Sequence, residues 1–351
     1  MSDDDFTPLR LLRRDVPPEA VDASLARARV RFDTAAMATT VRTGGAAPVR
    51  TAPPVRWVRR SRPVLLTGAA LVVAGGLVAT GVGVTHWGSP ESAAAATLHK
   101  AAAAAAADRA PVGAFTKVVE SELSMVYATS DGEHYDEGYL EPTTTTTWVP
   151  VDVSGPWVRE IRSEAPTKFF GGAAAREAAS DDGATEPSAP VRERGAGGDF
   201  AVGELGGAQA GTLGASEIAD LPRDPDALVR RIEAAPRAAD TTDELHVFDT
   251  ISGLLRTGLV PADLRATMYE ALATLPDVVV TEEQVSLDGR RGTAIGLPHW
   301  SATEQHDVII DPADGAYIGE RSIQTRPIGS IPAGTVIDSV TVQVTPVDDQ
   351  P

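Results

Sequence analysis

The chain contains no cysteine in 351 residues. That excludes a disulfide framework, a thiolate metal site and a cysteine nucleophile, so any folded part stands on its apolar core alone. Lysine is nearly as scarce: Lys100, Lys117 and Lys168 stand against 28 arginines, and with abundant Ala and Gly this is the bias that GC-rich codons produce. Only 5% of residues are aromatic, so a core must come mainly from aliphatic side chains and alanine. Positive charge is short overall, and a net charge of −18 excludes nucleic acid as a default partner.

Familiar catalytic signatures are also missing. There is no P-loop, no G-x-S-x-G elbow and no dinucleotide fingerprint. The triplets Gly81-Val-Gly83 and Gly195-Ala-Gly197 do not join a strand to a helix. The six histidines (His86, His99, His134, His246, His299 and His306) show no H-x-x-x-H, H-E-x-x-H or H-x-E spacing. No catalytic residue, cofactor-binding residue or metal ligand is therefore assigned.

The charge that is present is divided. Residues 1–62 carry 12 arginines and 7 acids, net +5, whereas residues 85–351 carry 19 basic and 42 acidic residues, net −23. Between them, residues 64–84 (VLLTGAALVVAGGLVATGVGV) run 21 residues without a charge. That is about 31 Å of helix, the thickness of a bilayer's hydrocarbon core. Arg56, Arg59, Arg60 and Arg62 crowd the N-terminal end, and the nearest basic residue beyond the other end is Lys100, which places the N-terminus in the cytoplasm. Trp57 and Trp87 fall at the two membrane interfaces. A core helix would show a polar face, and a signal peptide would be shorter and nearer the start, although the alanines at 93–96 resemble a peptidase site. Gly75, Ala79 and Gly83 repeat every four residues, a small-residue stripe suited to a homodimer through the span.

Before the span, residues 1–62 read as a cytoplasmic arm. Leu9, Leu12 and Val16 lie at helical spacing and are too few to bury a core. They are the candidate contact of a segment that folds on a partner; the alternative is an arm whose arginines only set topology. Residues 33–54 are rich in Thr, Ala, Gly and Pro, the composition of a tether.

Beyond the span (63–85), residues 86–107 read as an Ala-rich helical stalk and 108–345 as an extracytoplasmic domain, with 346–351 a tail. Strand-forming stretches occur at 115–127, 139–149 and 156–162, and a Gly- and acid-rich flexible insertion lies near 171–215. Three helices follow: Asp224-Pro225 is an N-cap with proline at the first position, Thr241 and Glu244 form a capping box, and Pro261 opens a helix bearing Leu264, Met268, Leu272 and Leu275. Strands return at 278–287, after which Asp288-Gly289 signals a hairpin, then at 293–297, 308–310 and 316–323. Val340, Val342 and Val344 alternate with polar residues in the last strand. Strands, helices, then strands indicate α+β, with an antiparallel sheet and helices packed on one face.

Chemistry has few candidates here. His299 and His306 lie near Glu304 and Asp307 around an expected turn, where an open acid–base pair or solvated turn residues are both readable. The stretch Asp131-Gly-Glu-His-Tyr-Asp-Glu137 is acidic but lacks EF-hand spacing. Asp311 and Asp314 suit turn chemistry. Trp148, Trp157 and Trp300 read as core or rim residues, or as the lining of an apolar groove.

The array "LRLLRRDVPPEA…ARARVRF", a single span, "TTTTTWVPVDVSGPWVRE", "LPRDPDALVRRI", "FDTISGLLRTGLVPADLRATMYEALATLPDVVV" and "VIIDPADGAYIGER" resembles an actinobacterial family of single-span membrane proteins of uncharacterised function, often encoded beside an extracytoplasmic-function sigma factor. The resemblance covers most of the chain except 33–62, 171–215 and the tail after about 325. It implies a curved antiparallel sheet around helices, similar to the LolA and RseB lipoprotein-carrier and sensor folds, and carries no catalytic residue. The expected function is a non-enzymatic regulator embedded in the bilayer, with the sigma factor as cytoplasmic partner. A lipid- or lipoprotein-binding envelope factor stands second and an outer-surface hydrolase last. The arm lacks the histidine and paired cysteines of zinc-containing anti-sigma domains.

Overall fold

The computed structural model describes residues 92–351, apart from 110–112, 131–133, 199, 201–214 and 238–240. The expected arm with Leu9, Leu12 and Val16, the span with Gly75, Ala79 and Gly83, the cluster Arg56, Arg59, Arg60 and Arg62, and the interfacial Trp57 and Trp87 lie outside the described residues. Among the described residues no helix is long and apolar enough to cross a membrane.

Ser92 caps α1 (Ala93–Ala107), its hydroxyl accepting from Ala95 N at 3.0 Å, and the helix ends where Asp108 turns extended. The stalk expected here is built into the domain instead. Leu98, Ala101, Ala102 and Ala105, spaced i, i+3, i+4, i+7, are buried in the principal core, and their small side chains let α1 lie close against α6 (Ala262–Ala273).

The chain then lays down β1 (Phe115–Thr129), β2 (Tyr135–Pro150), β3 (Pro156–Ser163) and β4 (Lys168–Phe170). Next come α2 (Ala173–Asp181), β5 (Val191–Ala196), α3 (Ala215–Ala219), α4 (Pro225–Glu233) and α5 (Asp243–Arg256). After α6 it returns to β6 (Val279–Leu287), β7 (Arg290–Leu297), β8 (Glu304–Asp311), β9 (Ala316–Gln324) and β10 (Val336–Val347). The result is an α+β domain of six described helices and one open, antiparallel, ten-stranded sheet in the order β5-β3-β2-β1-β10-β9-β8-β7-β6, with β4 on β2. The range expected as a flexible insertion thus contains α2 and β5, the latter an edge strand of the sheet.

The last strand closes the sheet at its middle: β10 pairs with β1 through Val118↔Val344 and Ser124↔Asp338. Strand alternation puts Val118, Val340 and Val342 on one face, where they share a core with Leu98 of α1, Leu228 of α4, Phe248 of α5 and Leu272 of α6. The hairpin β6–β7 turns on Asp288 and Gly289, both at positive φ (49° and 75°), as a two-residue hairpin requires.

Helix starts follow the sequence with one difference. Asp224 accepts from Ala227 N and Pro225 is the first residue of α4. For α5 the cap is Thr242, accepting from Leu245 N, one residue later than the expected box. Glu244 does not reach back to the cap: it accepts from Asp277 N at 2.8 Å and ties α5 to the chain beyond α6.

Candidate functional site

Helix α5 carries Asp249, Ser252 and Arg256 at i, i+3 and i+7, a polar stripe beside the buried Phe248, Ile251 and Leu255. Beneath it the sheet presents a second polar stripe. Alternation along β1 runs Val118, Glu120, Glu122, Ser124, Val126 on one face, and register sets Glu120 opposite Val342, Glu122 opposite Val340 and Ser124 opposite Asp338. On β9, Glu320 lies opposite Val340 and Ser322 opposite Asp338.

Arg256 joins the two stripes. Its Nη2 donates to Glu122 Oε2 at 2.9 Å, Nη1 to Glu320 Oε1 at 3.3 Å and Nε to Glu120 Oε2 at 3.4 Å. Burial works against the guanidinium charge, but Glu122, Glu320, Glu120 and Asp338 more than offset it and hold Arg256 ionised. The carboxylates have the opposite problem: five acids (Asp249, Glu120, Glu122, Glu320, Asp338) share this layer with Arg256 and His306. Burial, then the neighbouring Glu122 and Glu320, pushes Asp338 up to about 7. Glu120 is raised chiefly by burial despite Arg256, and Asp249 by burial despite its bond from Trp300 Nε1 at 2.6 Å.

Ser124 bridges two of these carboxyls, its Oγ lying 2.5 Å from Glu122 Oε1 and 3.0 Å from Asp338 Oδ2. It has one hydroxyl hydrogen to donate, so it serves both acceptors fully only when one of the two carboxyls carries a proton. The layer continues through Tyr317, whose hydroxyl donates to Glu320 Oε2 at 3.2 Å, to His306, whose Nδ1 is 3.0 Å from Ser322 Oγ and whose ring stacks edge-on to Phe248. Tyr317 is held far above its usual range by burial and Glu320. Ser252 Oγ is buried in the layer without a partner among the described residues. The arrangement can take up or release protons at the seam between α5 and the sheet.

The residues that sequence singled out are scattered. His306 enters this layer, but Asp307 points to the other face, accepting from Arg321 Nε at 2.9 Å and Thr281 at 2.8 Å, and His299 is exposed; the acid–base pair does not assemble. Of the acidic stretch, Asp136 accepts from Ser130, and Glu137 Oε2 accepts from Ala175 N in the first turn of α2. Asp311 and Asp314 accept from Ala313 N and Ala316 N, as turn residues do. Trp157 donates to Val153 O, Trp148 lies under Lys117, and Trp300 reaches the acid layer through Asp249. Glu120, Glu122, Arg256, Glu320 and Asp338 were not singled out. Their signal was acids on alternate β1 positions between Val118 and Val126, and an arginine in line with the buried face of α5.

Among the described residues no group of three or more His, Asp or Glu is placed to hold a metal ion. Set against family models, curated proteins and solved structures, the chain finds no match.

Proposed function

We propose that the chain is a single-span membrane protein whose outer domain is a non-enzymatic sensing module, and that its cytoplasmic arm conveys the domain's state to an extracytoplasmic-function sigma factor. The charge division, the apolar run at 64–84 and the family resemblance support the topology and the partner. Within the domain, one observation carries the reading: the acid-rich layer gathered around Arg256. Clustering buried carboxyls around one guanidinium costs stability, and groups perturbed in this way gather where a protein's state matters. The layer sets acids on an arginine rather than a nucleophile on a base, which favours a two-state seam over catalysis. Within the domain α5 leads into α6 and α6 packs on α1, and in the sequence α1 begins nine residues after the apolar run ends.

The finer architecture in this reading is a curved sheet wrapped around helices, similar to the LolA and RseB folds. The lipid- or lipoprotein-binding reading has weaker support. The sheet face that would line an apolar cavity is packed under α5 and α6 near Val340 and Val342, and where α5 ends it offers Glu120, Glu122, Thr143 and Thr145.

The test is a reporter for a promoter served by the partner sigma factor, read in cells producing wild type, Arg256→Gln, or an arm in which Leu9, Leu12 and Val16 are serine. The regulator reading expects both variants to insert normally and to change promoter output. Unchanged output from the arm variant at normal membrane levels would reduce the arm to a topology device and sink the reading.

A further inference from the structure

Strand β10 outruns its neighbour β9. Its pairing with β1 extends to Phe115↔Val347, whereas its pairing with β9 stops at Thr341↔Gly319. The turn before β9 is drawn toward α1 instead: Gly315, at φ +71°, sits so tightly on the backbone of Ala101 and Ala105 that no Cβ fits, and Tyr269 donates to its carbonyl at 3.2 Å. Between the free length of β10 and that turn lies a cleft of about 510 Å³, within the range of small-molecule sites.

Its walls combine apolar and basic groups. Leu255, Val260, Val342 and Val344 supply the apolar surface, and Arg265 and Arg290 the charge. Arg290 Nη1 donates to Val342 O at 2.9 Å, and no carboxylate among the described residues pairs with this guanidinium. Arg265 Nη2 is held by Asp108 Oδ2 at 2.6 Å, while its Nε is buried without an acceptor. The remaining acid on the wall, Asp314, is engaged by Ala316 N. Acids outnumber bases 42 to 19 over residues 85–351, and yet the Arg290 guanidinium on this cleft meets no carboxylate among the described residues.

We propose that this cleft binds a small soluble organic anion, a carboxylate or phosphate on a short apolar body, with its oxygens on Arg290. The proposal rests on the sensing reading and names its ligand class. Two connections make occupancy consequential. Arg265 also holds Asp108, the residue that ends α1, and Tyr317 is shared between the cleft wall and the acid layer through Glu320.

The test uses the full chain in phosphatidylcholine nanodiscs, titrated with hexyl phosphate and followed by phosphorus NMR and calorimetry. Saturable binding is expected, weakened about tenfold or more by Arg290→Gln, the size of a lost charged hydrogen bond. Val344→Asp, which places a carboxylate on the wall at a residue 51% exposed, should weaken it similarly without touching either arginine. Thermal unfolding confirms that both variants are folded. Inorganic phosphate should bind at least about tenfold more weakly, because the apolar walls then contribute nothing. Absence of saturable binding, equal binding of the two phosphates, or indifference to both variants would overturn the proposal. Competition by phosphatidylglycerol in the disc would identify a lipid headgroup as the source and overturn the soluble anion. Loss of binding with the promoter response of Arg256→Gln intact sinks this proposal alone; binding with no promoter response sinks the sensing reading alone.

Discussion

Arg256 Nη2 stands 2.9 Å from Glu122 Oε2, and that one contact fastens the last turn of α5 to the central strand β1. The same guanidinium reaches Glu320 on β9, so a single side chain spans β1 and β9 across the intervening β10. Its geometry sets what removal should do.

Arg256→Gln should lower the unfolding free energy by about 3 kcal/mol, the low end for breaking a buried ion pair, because Arg256 remains a quarter exposed. The loss should be greater at pH 8 than at pH 5.5, since protonation relieves the stranded carboxyls. Urea unfolding followed by tryptophan fluorescence reads both. A loss under about 0.5 kcal/mol at pH 8 would show the seam to be solvated.

Asp338 gives the intact domain its own pH dependence. Its carboxyl, facing Glu122, Ser124, Arg256, Glu320 and, more distantly, Tyr127, is raised from 3.8 to about 7, so folding takes up a proton in that window. Its stabilising contribution is full below pH 3.8 and is lost as pH rises through 7. Unfolding midpoints should therefore rise as pH falls from 8 toward 5, and Asp338→Asn should flatten that slope. A slope unchanged in the variant would assign the proton elsewhere.

Leu272 is fully buried between α6 and the core, and Leu272→Ala should cost about 2–5 kcal/mol. Gly315→Ala should also destabilise, because a Cβ there meets the backbone of α1 and the residue sits at φ +71°. If calorimetry finds Gly315→Ala neutral, the turn is not seated on α1.

Topology is open to single-thiol labelling, because the chain has no cysteine of its own. In intact cells an impermeant maleimide should label Asp349→Cys, an exposed position, and spare Ser2→Cys. The reverse pattern would invert the assignment.

Local geometry was legible where one or two residues impose it. Asp224-Pro225, Pro261, Asp288-Gly289 and the turn from Asp311 to Gly315 all form where their chemistry requires. What depends on distant neighbours was not legible. The alternation of β1 shows that Glu120 and Glu122 share a face, but charged alternate positions ordinarily mark the solvent side. Only the arrival of β10 and the end of α5 makes that face interior. Helix α1 hid for the opposite reason: a nearly uniform alanine run has no apolar stripe to contrast with a polar one, so its buried side was invisible until α6 was seen against it.

The pairing of β1 with β10 also sets a timetable for biogenesis. Ser124 and Asp338 are 214 positions apart, so at ribosomal speeds of about 5–20 residues per second β1 waits roughly 10–40 s for the strand that completes it. Until then one long edge of β1 is open, and the β6–β9 portion has nothing to join. A nascent chain is thus exposed to edge-to-edge association for most of its synthesis, and a product truncated before residue 336 would leave two unjoined half-sheets for quality control to remove.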